Sequence, residues 1–187
     1  MIANSMTKTN PGKSTITVDI QVETPKWNAA VPDLLTRVKE AVRESILSIS
    51  INEPCEVCVL LTTDEEVKSL NKDFRGQEKA TNVLSFPGLE PKELREFMGA
   101  GSLILDPYSD PVYLGDMALA YETIAKEAQE QGKNFINHLT HLVVHGTLHL
   151  LGYDHMAPDE ADRMEDLEIK ILKSKFNIDN PYKVEDK

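Results

Sequence analysis

Residues 138–155 read HLTHLVVHGTLHLLGYDH and hold all five histidines of the chain. At about 100° per residue, His138, His141, His145 and His149 fall within an arc of about 80° on one helix face. The rest of that helix is apolar nearly all round: Phe135, Ile136, Leu139, Leu142, Val143, Val144, Leu148, Leu150 and Leu151 mark residues 134–151 as a buried element. Imidazoles inside a buried helix need partners, and a divalent cation satisfies several of them at once.

His145 and His149 stand four residues apart, a spacing that turns two ring nitrogens toward one ion. Gly152 follows, where a left-handed residue would end the helix and turn the chain back, so that His155 can reach the same ion. The pattern H-x-x-x-H-x-x-G-x-x-H is the metzincin zinc spacing, and three histidines with an open fourth position form a catalytic rather than a structural set. The competing reading is ordinary hydrogen-bonded histidines. His141 lies about 6 Å along the axis from His145 and about 12 Å from His149, too far to share the ion with both. For His138 and His141 a supporting, substrate-facing or merely structural role is expected. Asp154 could accept an imidazole N–H or simply make the turn. Gly146 stands where a zinc peptidase carries its glutamate base, which argues against peptide hydrolysis. A glycine inside a buried helix costs about 1 kcal/mol relative to alanine, and so signals a close backbone, room for substrate, or tight packing.

Outward from this helix the chain alternates strands and helices. Thr15–Val22 places Ile16, Val18, Ile20 and Val22 on one strand face, and Glu56–Leu61, Asn82–Phe86 and Val112–Ala120 read as further strands. Val31 to Ile49 follows helical spacing, with Pro32 near its first turn. Thr63 with Glu66 is a capping-box start for a helix that Gly76 stops. Tyr121–Gln131 and Pro158–Phe176 are helical, the latter with Met164, Leu167 and Ile171 as its buried stripe. Residues 88–112 are weakly periodic and read as a surface excursion with one helical turn at most. The expected fold is α+β: a single domain over 15–176, a small mixed β-sheet packed by helices, a metal site on the buried helix and its following turn, and tails at 1–14 and 177–187.

A chain of 187 residues fits one domain at roughly 150 residues each. Its net charge of −11 argues against coating nucleic acid or anionic membrane by bulk electrostatics, so an anionic partner must meet a local basic patch or a metal. Lys68, Lys72 and Arg75 lie within about 60° on the 64–75 helix and could be that patch, or an ordinary solvated face. Apolar runs such as Val57–Leu61 are far short of the roughly 20 residues a bilayer span needs, and the N-terminus carries no apolar signal core; a cytoplasmic protein is expected. Cys55 and Cys58, an odd separation apart in a strand, should face opposite sides and remain thiols.

The stretch HGTLHLLGYDH, together with FRGQEKATNVLSFPG (residues 74–88) and YLGDMAL (residues 113–119), resembles the YbeY family, the bacterial rRNA maturation factors and single-strand-specific endoribonucleases. The order of elements is consistent with that family over residues 15–175. The resemblance implies a metal-dependent ribonuclease in rRNA processing, notably at the 3′ end of 16S rRNA, and in ribosome quality control. It implies one Zn2+ held by His145, His149 and His155, Arg75 as the cleft arginine, and single-stranded RNA and the ribosome or its proteins as partners. This sequence departs from the family in the loose segment Gln77–Ala80 and in a long 88–112 excursion. The residues independently permit the chemistry: zinc on three neutral imidazoles acidifies water and stabilises phosphoryl charge, and Arg75 can brace a phosphate. Two other readings stay open, a ribosome-assembly factor with a structural metal and a zinc hydrolase of another small substrate.

Overall fold

The computed structural model describes residues 15–30, 33–51, 53–99 and 110–183. Four strands, β1 (Ile16–Val22), β2 (Cys55–Thr62), β3 (Val83–Pro87) and β4 (Val112–Ala120), form one mixed sheet in the order β1-β2-β4-β3. The first two junctions are parallel and β3 runs antiparallel to β4 at one edge. Parallel neighbours need crossovers rather than tight turns, which is why helices separate these strands in sequence. Burial alternates along β1 and β2 as the side-chain period of two requires. Cys55 is fully buried and Cys58 half-buried, both as free thiols.

The described residues hold seven helices: α1 (Pro25–Ala30), α2 (Leu34–Ser48), α3 (Asp64–Arg75), α4 (Pro91–Gly99), α5 (Tyr121–Glu130), α6 (Phe135–Leu150) and α7 (Pro158–Phe176). The apolar histidine helix α6 lies in the middle, packed against α2, α5, α7 and the β3–β4 side of the sheet. Leu139, Val143, Val144 and Leu148 are wholly inaccessible, so its all-round hydrophobicity is used on every side. Helix α3 begins as the sequence indicates, Thr63 Oγ1 accepting from the Glu66 N–H, and ends at Gly76 with φ +66°. No described helix is long and apolar enough to cross a membrane.

Three expectations change. The helix read over Val31–Ile49 is α2, entered through left-handed Asp33 (φ 59°), and a short helix that the spacing did not indicate, α1, stands before it; Val31 and Pro32 lie outside the described residues. Helix α1 is held by Trp27, fully buried, with its indole N–H on the Thr62 carbonyl at 3.0 Å. One large apolar residue leaves no periodic trace. The 88–112 excursion contains α4, anchored by buried Leu94, while residues 100–109 lie outside the description. The C-terminal tail begins later than expected. Asn177 (φ 54°) ends α7, Ile178 is buried with its N–H on the Leu172 carbonyl, and Lys133 Nζ donates to the Pro181 carbonyl at 2.6 Å. Isolated apolar residues after a helix stop have no pattern to show that they dock. Residues 1–14 and 184–187 lie outside the described residues.

Candidate metal centre and cleft

Helix α6 starts at Asn134, whose Oδ1 accepts from the Ile136 N–H at 3.0 Å, and ends in a Schellman turn. The Gly152 N–H donates to the His149 carbonyl and the Tyr153 N–H to the Leu148 carbonyl, both at 3.0 Å. Gly152 has φ +79°, where only glycine is unstrained. The turn swings His155 back over the helix end. The ring centroids of His145 and His149 are 4.6 Å apart, and that of His155 is 5.6 and 5.1 Å from them. One ring nitrogen from each lies within 4.8 Å of the others, the group among the described residues that could hold a metal ion. It opens on a cleft of about 630 Å³ lined also by Arg75, Ser85 and Pro87.

Hydrogen bonds on the far sides of the rings decide which nitrogens face the cleft. His145 Nδ1 is 2.9 Å from Glu168 Oε1, and His149 Nδ1 is 2.9 Å from the Tyr153 carbonyl. Both partners accept only, so both Nδ1 atoms carry the proton, and in the neutral rings both Nε2 atoms present lone pairs. These two Nε2 atoms stand 3.1 Å apart. Two lone pairs at that distance repel unless a cation lies between them or one ring is an imidazolium. Burial, then the neighbouring His145 and His155, holds His149 down to about 4, which disfavours imidazolium there. Two nitrogens on one tetrahedral zinc ion stand about 3.3 Å apart at ordinary bond lengths. The donor set therefore fits a cation held by neutral imidazoles.

Glu168 is the residue the sequence reading missed. It is wholly buried on α7, and its Oε2 meets His141 Nε2 at 2.8 Å and the Tyr182 hydroxyl. Burial pushes its carboxyl up, but hydrogen bonds from His141 and His145 outweigh that and hold it down to about 2. The signal was present: Glu168 falls on the stripe of Met164, Ile171 and Leu172, where an acid is unexpected. His141 thus has a supporting place, its own basicity lowered by burial. His138 is likewise buried, against Glu127 at 2.8 Å, and Glu127 also accepts from Asn82 of the cleft wall.

Gly146 is explained by packing. A Cβ there would come within 2.6 Å of Met117 Sδ and 3.1 Å of Ser85 Oγ, which donates to the Gly146 carbonyl. Asp154 makes the turn, accepting from the His155 N–H at 2.7 Å. Arg75 reaches around edge strand β3; its Nη2 donates to the Ser85 carbonyl at 2.9 Å, and its guanidinium lies 6.0 Å from the Phe86 ring centroid. The basic stripe is less free than its spacing suggests, since Lys68 and Lys72 lie 3.9 and 3.6 Å from Glu78. Arg75 is the member of the stripe that lines the cleft.

The family profile described as Endoribonuclease YbeY matches residues 19–175. Among curated relatives, Endoribonuclease YbeY of Paramagnetospirillum magneticum is 40% identical over 171 residues, covering 90% of this chain and 98% of that protein. Endoribonuclease YbeY of Bartonella quintana is 42% identical over 168 residues, covering 89% and 97%. Among solved structures, the solution structure of a Thermotoga maritima protein matches with a TM-score of 0.47 at 23% identity, over 89% of this chain and 99% of that one. The matched segment takes in the sheet beyond the start of β1, helices α1 to α6, α7 up to its last residue, the histidine turn and Arg75. The chain belongs to the YbeY endoribonuclease family.

Proposed function

We propose that the protein is a zinc-dependent endoribonuclease that cuts single-stranded RNA during ribosomal RNA maturation, including the 3′ end of 16S rRNA, and in ribosome quality control. It works in the cytoplasm with the ribosome or its proteins as partner. The observation that carries this reading is the convergence of His145, His149 and His155 on a cleft that Arg75 also lines. Three neutral imidazoles suit zinc, and zinc when bound supplies a Lewis acid for phosphoryl oxygen and a water acidified toward neutral pH.

The chain's own groups do the rest. The Nδ1 protons of His145 and His149 are fixed by Glu168 and the Tyr153 carbonyl, which keeps both Nε2 lone pairs aimed into the cleft. Arg75 spends one donor on the Ser85 carbonyl, which anchors the side chain, and offers its remaining N–H groups to the oxygens of the scissile phosphate. A cleft of about 630 Å³ is of the size that takes small ligands, and suits an unpaired segment of strand better than a duplex. His155 is exposed at the cleft mouth, which favours an open, catalytic set over a closed structural metal. A net charge of −11 with Lys68 and Lys72 drawn to Glu78 implies weak affinity for free RNA, and hence reliance on the ribosomal partner.

The purified, zinc-loaded protein should cleave single-stranded RNA and spare the matching duplex. His149→Ala, or removal of the metal by chelator, should abolish cleavage. Cleavage undiminished by both treatments would sink the metal mechanism.

A further inference from the structure

We infer that Glu168 and Tyr182 position the metal-binding face of His145, so that the segment after α7 belongs to the metal centre; this rests on the reading of the three histidines as the metal site. The Glu168 carboxylate is wholly inaccessible and touches no lysine or arginine among the described ion pairs. Its partners are three side chains: His145 Nδ1 on Oε1 at 2.9 Å, and His141 Nε2 at 2.8 Å with the Tyr182 hydroxyl on Oε2. A buried carboxylate without a cationic side chain is expensive. Here it stands directly behind an imidazole whose other nitrogen points into the cleft. The His145 ring relays that negative charge toward a cation at Nε2 and is locked in the Nδ1-protonated form, the arrangement by which a carboxylate strengthens a histidine ligand.

Tyr182 orients the carboxylate in turn. Its ring stands edge-on to His141 at 5.3 Å, and its hydroxyl is also 3.3 Å from His141 Nε2. The segment that carries it is fastened by the left-handed turn at Asn177, by buried Ile178 and by Lys133 on the Pro181 carbonyl. Oε2 therefore has its place fixed by two donors, leaving Oε1 for His145 alone.

The test is Zn2+ titration against a chromogenic chelator for the wild-type chain, Glu168→Gln, Tyr182→Phe and His149→Ala. It is paired with NMR of the imidazole nitrogens of His145. Expected are one bound ion in the wild type, affinity weaker by about tenfold to a hundredfold in Glu168→Gln, and a smaller loss in the same direction in Tyr182→Phe. His145 should be Nδ1-protonated in the wild type and lose that preference in Glu168→Gln. A folded Glu168→Gln protein that binds zinc as tightly as the wild type overturns the inference. Should that variant fail to fold, an Nε2-protonated His145 in the metal-free wild type, or wild-type affinity in Tyr182→Phe, overturns it equally. No zinc bound by the wild type, or none lost in His149→Ala, defeats the metal reading itself and is thereby told apart.

Discussion

Replacing Gly115 with alanine should destabilise the fold and, through it, the cleft wall. Gly115 sits in β4 with φ +131°, a region in which only glycine is at ease. The strand carries an extra residue there: Glu56 pairs with Tyr113 but Val57 pairs with Gly115, leaving Leu114 as a bulge. On the other side, edge strand β3 presses close. A methyl on Gly115 would lie 2.2 Å from the Phe86 carbonyl oxygen and 2.7 Å from the Gly88 nitrogen, both backbone atoms that cannot swing aside. The strained backbone costs about 1–3 kcal/mol. Parting β3 from β4 weakens the Gly88 N–H to Leu114 carbonyl bond, now 2.9 Å, and its neighbour, at roughly 1 kcal/mol each. The sum is about 3–5 kcal/mol, a large share of the 5–15 kcal/mol typical of a domain, and for this length it lowers Tm by roughly 6–20 °C. Urea unfolding followed by far-UV circular dichroism measures it. Because β3 carries the Ser85 carbonyl that holds Arg75, RNA cleavage by the folded fraction should fall. Zinc binding at the proposed site on α6 and its turn should hold. A stability change below about 0.5 kcal/mol, the range of an ordinary surface substitution, would refute the reasoning.

Arg75→Ala should leave zinc affinity intact and cut single-turnover RNA cleavage by about 10²–10³-fold, the scale for losing one preorganised donor; an unchanged rate would remove Arg75 from the mechanism. Burial pushes the Glu127 carboxyl up, but hydrogen bonds from His138 and Asn82 outweigh it and hold it below its ordinary value of 4.5. Its contribution to stability is therefore fully present above that pH and lost as pH falls below it. The stability gap between wild type and Glu127→Gln should be widest near neutrality and close in acid, and a gap that widened in acid would contradict the assignment. Burial pushes the Cys55 thiol up to about 11 and raises that of Cys58. At pH 8 both should react with an alkylating reagent far more slowly in the native protein than in denaturant, and equal rates would show the strand to be open.

Much of the fold was legible because its signals are short-range. The ends of α3 lie in Thr63, Glu66 and Gly76, each acting on backbone groups within one turn. Strand β4 begins and ends where the sequence reading places it, at Val112 and Ala120. The opposed burial of Cys55 and Cys58 follows from the two-residue period alone. The elements that escaped lack such signals. Helix α1 depends on Trp27 finding the Thr62 carbonyl, and α4 on Leu94 reaching the far-off turn at Gly152, where it would meet an added Cβ at 2.8 Å. Each helix is short and turns on one buried anchor, too little for periodicity to register.

The candidate metal centre divides along the same line. The sequence by itself determined the three histidines, their common face and the glycine turn that returns His155, because spacing along one helix and its cap is a local property of the backbone. Only the tertiary structure decided what stands behind and beside them. Glu168 meets His145 across 23 residues because α7 packs on α6. Arg75 shares the cleft because β3 pairs with β4 at the sheet edge and offers it the Ser85 carbonyl. Such meetings depend on which elements bury one another, a balance of core packing that no short window of sequence contains.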